Sequence, residues 1–404
     1  MKSSYDLIVV GAGPAGTTTA LYAHRQGLRV LLIDKKSFPR DKVCGDVIPG
    51  RAWPILQELG LTEPLEALGI LPLREARLVS PAGIPLHLQL PPCSPPYLNG
   101  FMCPRLQFDQ VLFRAAAEQV NCYTGVTARG LLPRDDQRVG LQVRHRSGKE
   151  EVLVVPLVVA ADGAHSQLAR KAGLPPSRFR LVATRQYVQP LHQSAVLEAH
   201  FWPPLLPGYR WWFPLPDGRV NAGVGTLYRR VKGPGGSLRR LHQRAFAELE
   251  TSPGVPPARA VSPIQGWHLP TPDFRRPLSA DHLLLVGDAA ALVDPFTGGG
   301  IGNAMLSGKL AARVARQALE AGRTDRQFLN RYDQQLWQQL RSEFRLAYRL
   351  QRLGKYPVLL NWIVRRLTSN RIPQTLLEEM STHPLARRAL LSPATYLGLR
   401  KKVG

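Results

Sequence analysis

A chain of 404 residues with 44% hydrophobic content can bury a sizeable core, and is expected to form two intertwined domains plus a tail rather than a small stapled scaffold. Lys and Arg number 53 against 29 Asp and Glu, a formal charge of +24, but neither a recognition motif nor a dense basic helix accompanies them, which argues against a nucleic-acid partner. Two readings of the charge stay open: a coding composition rich in Arg, Pro, Leu and Gly, or attraction to anionic lipid or diphosphate, with local concentrations at Arg229–Arg240, Arg365-Arg366 and Arg387-Arg388. No apolar run reaches the roughly 20 residues that span a bilayer, and no secretory signal is expected before the first strand. Cys44, Cys93, Cys103 and Cys122 show neither a CxxC pair nor a His/Cys metal spacing, so no metal is expected and the thiols read as reduced in a cytoplasmic protein.

In chain order, Tyr5–Val10 predicts an apolar strand, and Gly11-Ala12-Gly13-Pro14-Ala15-Gly16 opens an alanine-rich helix that Gly27 ends. Leu28–Ile33 predicts a second strand, stopping at Asp34-Lys35. That strand–turn–helix–strand–acid layout suits a dinucleotide. Gly11 allows the tight turn, Gly13 lets backbone N–H groups approach a pyrophosphate, Gly16 lets helix and strand close, and Asp34 is placed for ribose hydroxyls. Further on, Val152–Ala160 predicts one nearly continuous apolar strand ending at Ala161-Asp162-Gly163, with Ser166 and Arg170 beyond.

Tyr209–Pro214 and Arg219–Tyr228 predict a hairpin turned at Pro216-Asp217-Gly218. With a period of two, Tyr209, Trp211 and Phe213 share one face, and Asn221, Gly223 and Gly225 share another. An aromatic wall beside a bare glycine strip could line an apolar substrate pocket or could be ordinary core. Asp281–Val286 predicts a late strand closed by Gly287-Asp288, and Asp294-Pro295-Phe296-Thr297-Gly298-Gly299-Gly300-Ile301 leads into a small-residue helix. Asp288 is placed to bind ribityl hydroxyls and the 298–301 backbone to lie against an isoalloxazine edge, so the dinucleotide expected is FAD rather than NAD. Helices are expected over Ile301–Gly322 and Asp325–Gly354. The stretch Tyr356–Ser369, and the loop Phe201–Pro207, are each short enough to lie on a membrane surface or to pack on the protein.

Three ordered motifs, GxGxxG, a central DG and a late GD, are similar to those of the flavoprotein monooxygenase-type fold. Within it, Tyr209-x-Trp211-x-Phe213-Pro214 resembles the YxWxFP signature of the geranylgeranyl reductase family. Phe38–Asp46 resembles that family's cysteine-containing loop, Pro104-Arg105 with Phe108-Asp109 resembles its PRxxFD motif, and 294–301 resembles its late flavin loop, with GGG where many members read GEG. The resemblance covers about residues 5 to 325. It implies an FAD enzyme that reduces carbon–carbon double bonds in prenyl chains, in which Arg105 supports the flavin. NADPH or reduced ferredoxin is the electron donor expected; no second nucleotide fingerprint distinguishes them. Cys44 is the candidate for the substrate side of the flavin, as a proton donor or a pocket-shaping thiol, and reads equally well as a plain packing cysteine.

The architecture expected is α/β: a doubly wound, Rossmann-like FAD domain from residues 1–70, 101–180 and 271–325, a β-sheet substrate domain from 71–100 and 181–270, and a C-terminal helical region over 326–404. The partners expected are a prenylated lipid, an anionic membrane in peripheral contact and an electron-donor protein. Two rivals stand beside this: a hydroxylase or halogenase on the same fold, and a prenyl-binding escort without chemistry. The halogenase-like GWxWxIP pattern is not met, because Tyr209 and Phe213 stand at two of its places.

Overall fold

The structure is a computed structural model that describes residues 5–90, 94–134, 137–192, 194–232, 237–250 and 258–369. Cys93, Pro91-Pro92, Arg387-Arg388 and the rest of the tail beyond 369 lie outside the described residues. Its central sheet has six strands in the order Ser279–Ala280, Leu283–Leu285, Leu157–Ala160, Leu7–Val10, Val30–Asp34 and Asn121–Thr124. All neighbours run parallel except the edge strand Ser279–Ala280. The central strands are apolar at every position and buried along their whole length, as a parallel sheet covered on both faces requires. Helices Pro14–Arg25 and Ile301–Glu320 pack so closely that a Cβ on Gly308 would stand 2.6 Å from the Ala15 carbonyl oxygen.

A second, eight-stranded sheet carries the aromatic hairpin. Tyr209–Pro214 pairs antiparallel with Val220–Leu227, which pairs with Arg180–Pro190. Glu75–Val79 and Pro85–Gln89 join its far edge through Leu197–His200. Long helices Arg326–Leu353 and Pro357–Ser369 follow, the first capped by Asp325, whose carboxylate accepts the Phe328 N–H at 3.0 Å.

One expectation is corrected. Val152–Ala160 is not one strand: Glu150–Val155 belongs to a three-stranded antiparallel sheet and Leu157–Ala160 to the central one. Pro156 separates them, having no N–H to continue a ladder, and Val152 and Val154 end up exposed. Of the two readings of the loop Phe201–Pro207, packing on the protein holds: Trp202, Leu205 and Leu206 are buried, Trp202 and Leu205 beside Val224 and Ala245. The helix after Tyr356 buries Leu360 and Val364 but leaves Tyr356, Val358 and Trp362 exposed. Among the described residues, no helix is long and apolar enough to cross a membrane.

Candidate functional site

The glycine turns build two helix ends that present bare backbone. Gly11 has φ +105°, and a Cβ there would lie 2.3 Å from the Ala161 oxygen; on Gly16 it would lie 1.7 Å from the Gly11 oxygen. These two positions admit only glycine, for packing reasons. Gly13 differs, since its nearest neighbour is the Arg40 guanidinium at 3.4 Å. Gly13 caps the Pro14–Arg25 helix with no side-chain hydrogen bond, and Gly300 does the same for the Ile301–Glu320 helix. Two adjacent N-termini therefore present backbone N–H groups and positive dipole ends, with Ala15 and the buried Ile301 in their first turns.

Asp34 works within the loop: its Oδ2 accepts the Ala12 N–H and its Oδ1 the Lys36 N–H, both at 2.7 Å, leaving one lone pair on each oxygen for hydroxyls. Lys35 is exposed. Ser166 caps the short helix Gln167–Lys171, and Asp162 supports its first turn, its Oδ2 accepting the Gln167 N–H at 2.9 Å, while its buried Oδ1 has no partner among the described residues. Gly163, at φ +83°, has open space around it. Asp288 is half-buried, its Oδ1 3.6 Å from where a Gly300 Cβ would sit. Pro295 accepts a hydrogen bond from Gln351 at its carbonyl, and the Gly298 and Gly299 backbone closes onto Asp294 at 2.9 and 2.8 Å. Buried Arg105 holds Asp109 through two 2.7 Å hydrogen bonds, and Arg40 joins the same carboxylate at 2.9 Å. The bare cradles at Gly13 and Gly300 and the orphaned Asp162 oxygen are what an elongated, oxygen-rich dinucleotide needs, so the residues fit FAD.

On the other side, the structure brings the Cys44 loop, the aromatic hairpin and the 294–301 loop together. Asp46, fully buried at φ +60°, accepts the Tyr187 O–H at 2.7 Å, the Asn221 Nδ2–H at 2.8 Å and the Arg105 N–H at 3.0 Å. Asn221 also donates to the Cys44 carbonyl at 2.7 Å and accepts the Trp211 Nε1–H at 2.9 Å. Phe213 lies against Gly45, where a Cβ would meet its ring at 3.3 Å. Tyr209 donates its hydroxyl to the Thr297 carbonyl, and Phe296 stacks near Phe201. Asp41 pairs with the buried Arg185 at 2.6 Å, tying down the start of the loop.

The glycine strip is corrected in its purpose. A Cβ on Gly223 would stand 2.1 Å from the Trp211 indole, so the space above it holds that ring rather than a ligand. Burial pushes the Cys44 thiol pKa above its ordinary value, and the Asp46 charge adds to this against the pull of Arg105. Burial likewise raises Asp46, opposed by its three donors. Lys42 stands 3.8 Å over the Trp267 ring, and burial lowers its pKa to about 8 against the attraction of Asp288.

Asp46, Asn221 and Lys42 were visible in the sequence motifs but carried no role there. Alternation with Gly223 put Asn221 on a shared face, and adjacency to Cys44 marked Asp46. Tyr187 had no signal, since a lone tyrosine in a strand is usually packing.

A family model described as FAD binding domain matches residues 4–336. The chain is 31% identical over 345 residues to a digeranylgeranylglycerophospholipid reductase of Thermoplasma volcanium, covering 82% of each chain. It is 33% identical over 342 residues to digeranylgeranylglycerophospholipid reductase 2 of Methanothermobacter thermautotrophicus, covering 81% of this chain and 82% of that one. A menaquinone reductase of Mycobacterium tuberculosis is 34% identical over 328 residues, covering 78% and 77%. Among solved structures, a geranylgeranyl bacteriochlorophyll reductase-like protein of Thermoplasma acidophilum superposes with a TM-score of 0.81 at 24% identity, over 96% of this chain and 99% of that one. A flavin-dependent brominase superposes at 0.76 and 18% identity, over 99% and 100%. At those identities the structures speak for the fold alone.

Proposed function

The chain belongs to the FAD binding domain family and stands among its geranylgeranyl-type reductases, and on that premise we propose that it reduces carbon–carbon double bonds in the prenyl chain of a lipid. It is an FAD-dependent oxidoreductase. The observation that carries the reading is the junction of three elements: the Cys44–Asp46 loop, the Tyr209–Phe213 strand and the 294–301 loop, joined through Asp46, Asn221 and the Tyr209–Thr297 hydrogen bond. An isolated alkene needs a dry, aromatic-walled site beside the flavin and a proton source, and this junction offers both.

The cofactor would be held at its pyrophosphate by the Gly11–Gly16 turn, at its ribose by Asp34, at its ribityl chain by Asp288 and at its ring by Gly298–Ile301, with Arg105 in support. When bound and reduced, FAD would supply a hydride. A proton completes the addition across the double bond, and Cys44 holds one at Sγ because burial keeps the thiol protonated. The thiolate left behind regains its proton from water when product leaves. Trp211 and Phe213 exclude water and offer π-faces to positive charge developing at a tertiary carbon. Asp46 and Asn221 fix the loop so that Cys44 keeps its position. NADPH or reduced ferredoxin supplies the electrons, and the exposed Tyr356, Val358 and Trp362 give a peripheral hold on the membrane that carries the substrate.

Anaerobic photoreduction of the purified protein, then titration with geranylgeranyl diphosphate and mass spectrometry of the lipid, tests the reading. Flavin reoxidation with two hydrogens gained per double bond is the expected result. A flavin that stays reduced until air enters would turn the assignment toward the oxygen chemistry of the halogenase rival.

A further inference from the structure

A cavity of about 900 Å³ opens where the Arg326–Leu353 helix crosses the ends of strands Arg180–Pro190 and Val220–Leu227. Eight cationic side chains line it against one carboxylate, Asp273, whereas the whole chain holds 53 cations to 29 acids. A general coding bias toward arginine does not concentrate charge in this way. Arg345, Arg349 and Arg352 follow one another at helical spacing on one exposed face, and none has an acidic partner among the described residues. Like charges one turn apart weaken a helix, so this row gives the fold nothing by itself. Across the cleft stand Arg180 and Arg229, while Asp273 is already held by Arg178 at 2.7 Å and by the Arg275 N–H at 3.2 Å.

The cleft adjoins the candidate site. Gln351, on its floor, donates to the Pro295 carbonyl of the 294–301 loop, and Tyr348 on its wall donates to the Pro272 carbonyl at 2.7 Å. Leu227 ends the strand in which Gly225 pairs with Tyr209, and Tyr228 follows it. Guanidinium forks lining a concave, solvated space of this size match the oxygens of a compact polyanion.

We propose that this cleft binds the phosphate or diphosphate group of a small molecule that the enzyme uses. Two sources share that chemistry: the head group of the prenyl substrate and a pyridine nucleotide bringing electrons. Which source applies rests on the reductase reading; phosphate binding itself does not.

The test is isothermal titration of the flavin-loaded protein with inorganic diphosphate, for wild type and the variant R345Q/R349Q/R352Q. A second variant, R144Q/R146Q/K149Q, removes the same charge from an exposed edge elsewhere. Affinity is expected to fall about tenfold or more in the first variant and to stay within about twofold in the second. A KM raised for geranylgeranyl diphosphate but not for geranylgeraniol identifies the substrate head group; a KM raised for NADPH alone identifies the nucleotide. Absent binding in wild type, or equal loss in both variants, overturns the proposal. If diphosphate binds as expected but no prenyl chain is reduced, the cleft stands and the reductase reading falls.

Discussion

The flavin side and the substrate side of this molecule are built on opposite principles. On the flavin side, the residues that shape each ligand-facing turn are neighbours in sequence, as with Gly11, Gly13 and Gly16, or Gly298, Gly299 and Gly300. On the substrate side, the decisive partners lie far apart in the chain: Asn221 reaches the Cys44 carbonyl, and Tyr187 reaches Asp46. Backbone N–H groups at a helix end recognise phosphate wherever a glycine turn forms. The Cys44 thiol and the aromatic wall acquire a position only when two sheets fold against each other. The first region is therefore expected to fail locally and completely, the second gradually and through its supports.

The largest effect is expected from Gly16→Val, whose side chain has no room against the Gly11 carbonyl; the protein should purify without flavin absorbance. Cys44→Ala should keep its flavin but lose about 10² or more in turnover of bound reduced flavin with prenyl substrate. Turnover at the wild-type rate would remove the thiol from the chemistry. Gly223→Ala must displace both the Trp211 indole and the Thr184 carbonyl, which a Cβ would meet at 2.1 and 2.3 Å, costing about 3 kcal/mol in a denaturant titration while flavin content stays normal. Flavin loss in that variant would break the contrast between the two regions.

A pH measurement sharpens it further. Because the folded Cys44 thiol has a raised pKa, the folded state holds that proton more tightly than the unfolded one. Its contribution to stability is thus intact below the unfolded thiol pKa and falls away as pH rises toward the folded one. Alkylation of Cys44 by iodoacetamide should accelerate only above the ordinary thiol range, and Asp46→Asn should move that profile down by removing a nearby negative charge. An unmoved profile would show that Asp46 does not act on the thiol. The smallest effect is expected for Tyr209→Phe, which loses the hydrogen bond to Thr297 and about 1 kcal/mol with it, seen as a few-fold loss of turnover.

Much of this was legible in the residues themselves. The Gly11–Gly16 turn, the strand beginning near Leu7, the hairpin of Tyr209–Pro214 with Val220–Leu227, and the helices after Ile301 and Asp325 follow from local propensity, caps and period. Pro156 shows where a local reading slipped: an apolar run of constant character was divided between two sheets, because only the partners of each half decide its sheet. Gly223 shows the same for a side chain, since period alone cannot say whether a bare strand face is covered by a ligand or by the protein's own indole.

By itself, then, the sequence determined the cofactor class and the elements that would hold it, because those signals are short-range and backbone geometry enforces them. Tertiary structure alone decided that Asp46 ties Tyr187, Asn221 and the Cys44 loop into one support, and that three exposed arginines on one helix line a cleft. Both depend on bringing distant segments within a hydrogen bond or a cavity's width. No local pattern encodes that, because the energy resides in contacts between segments and not within them.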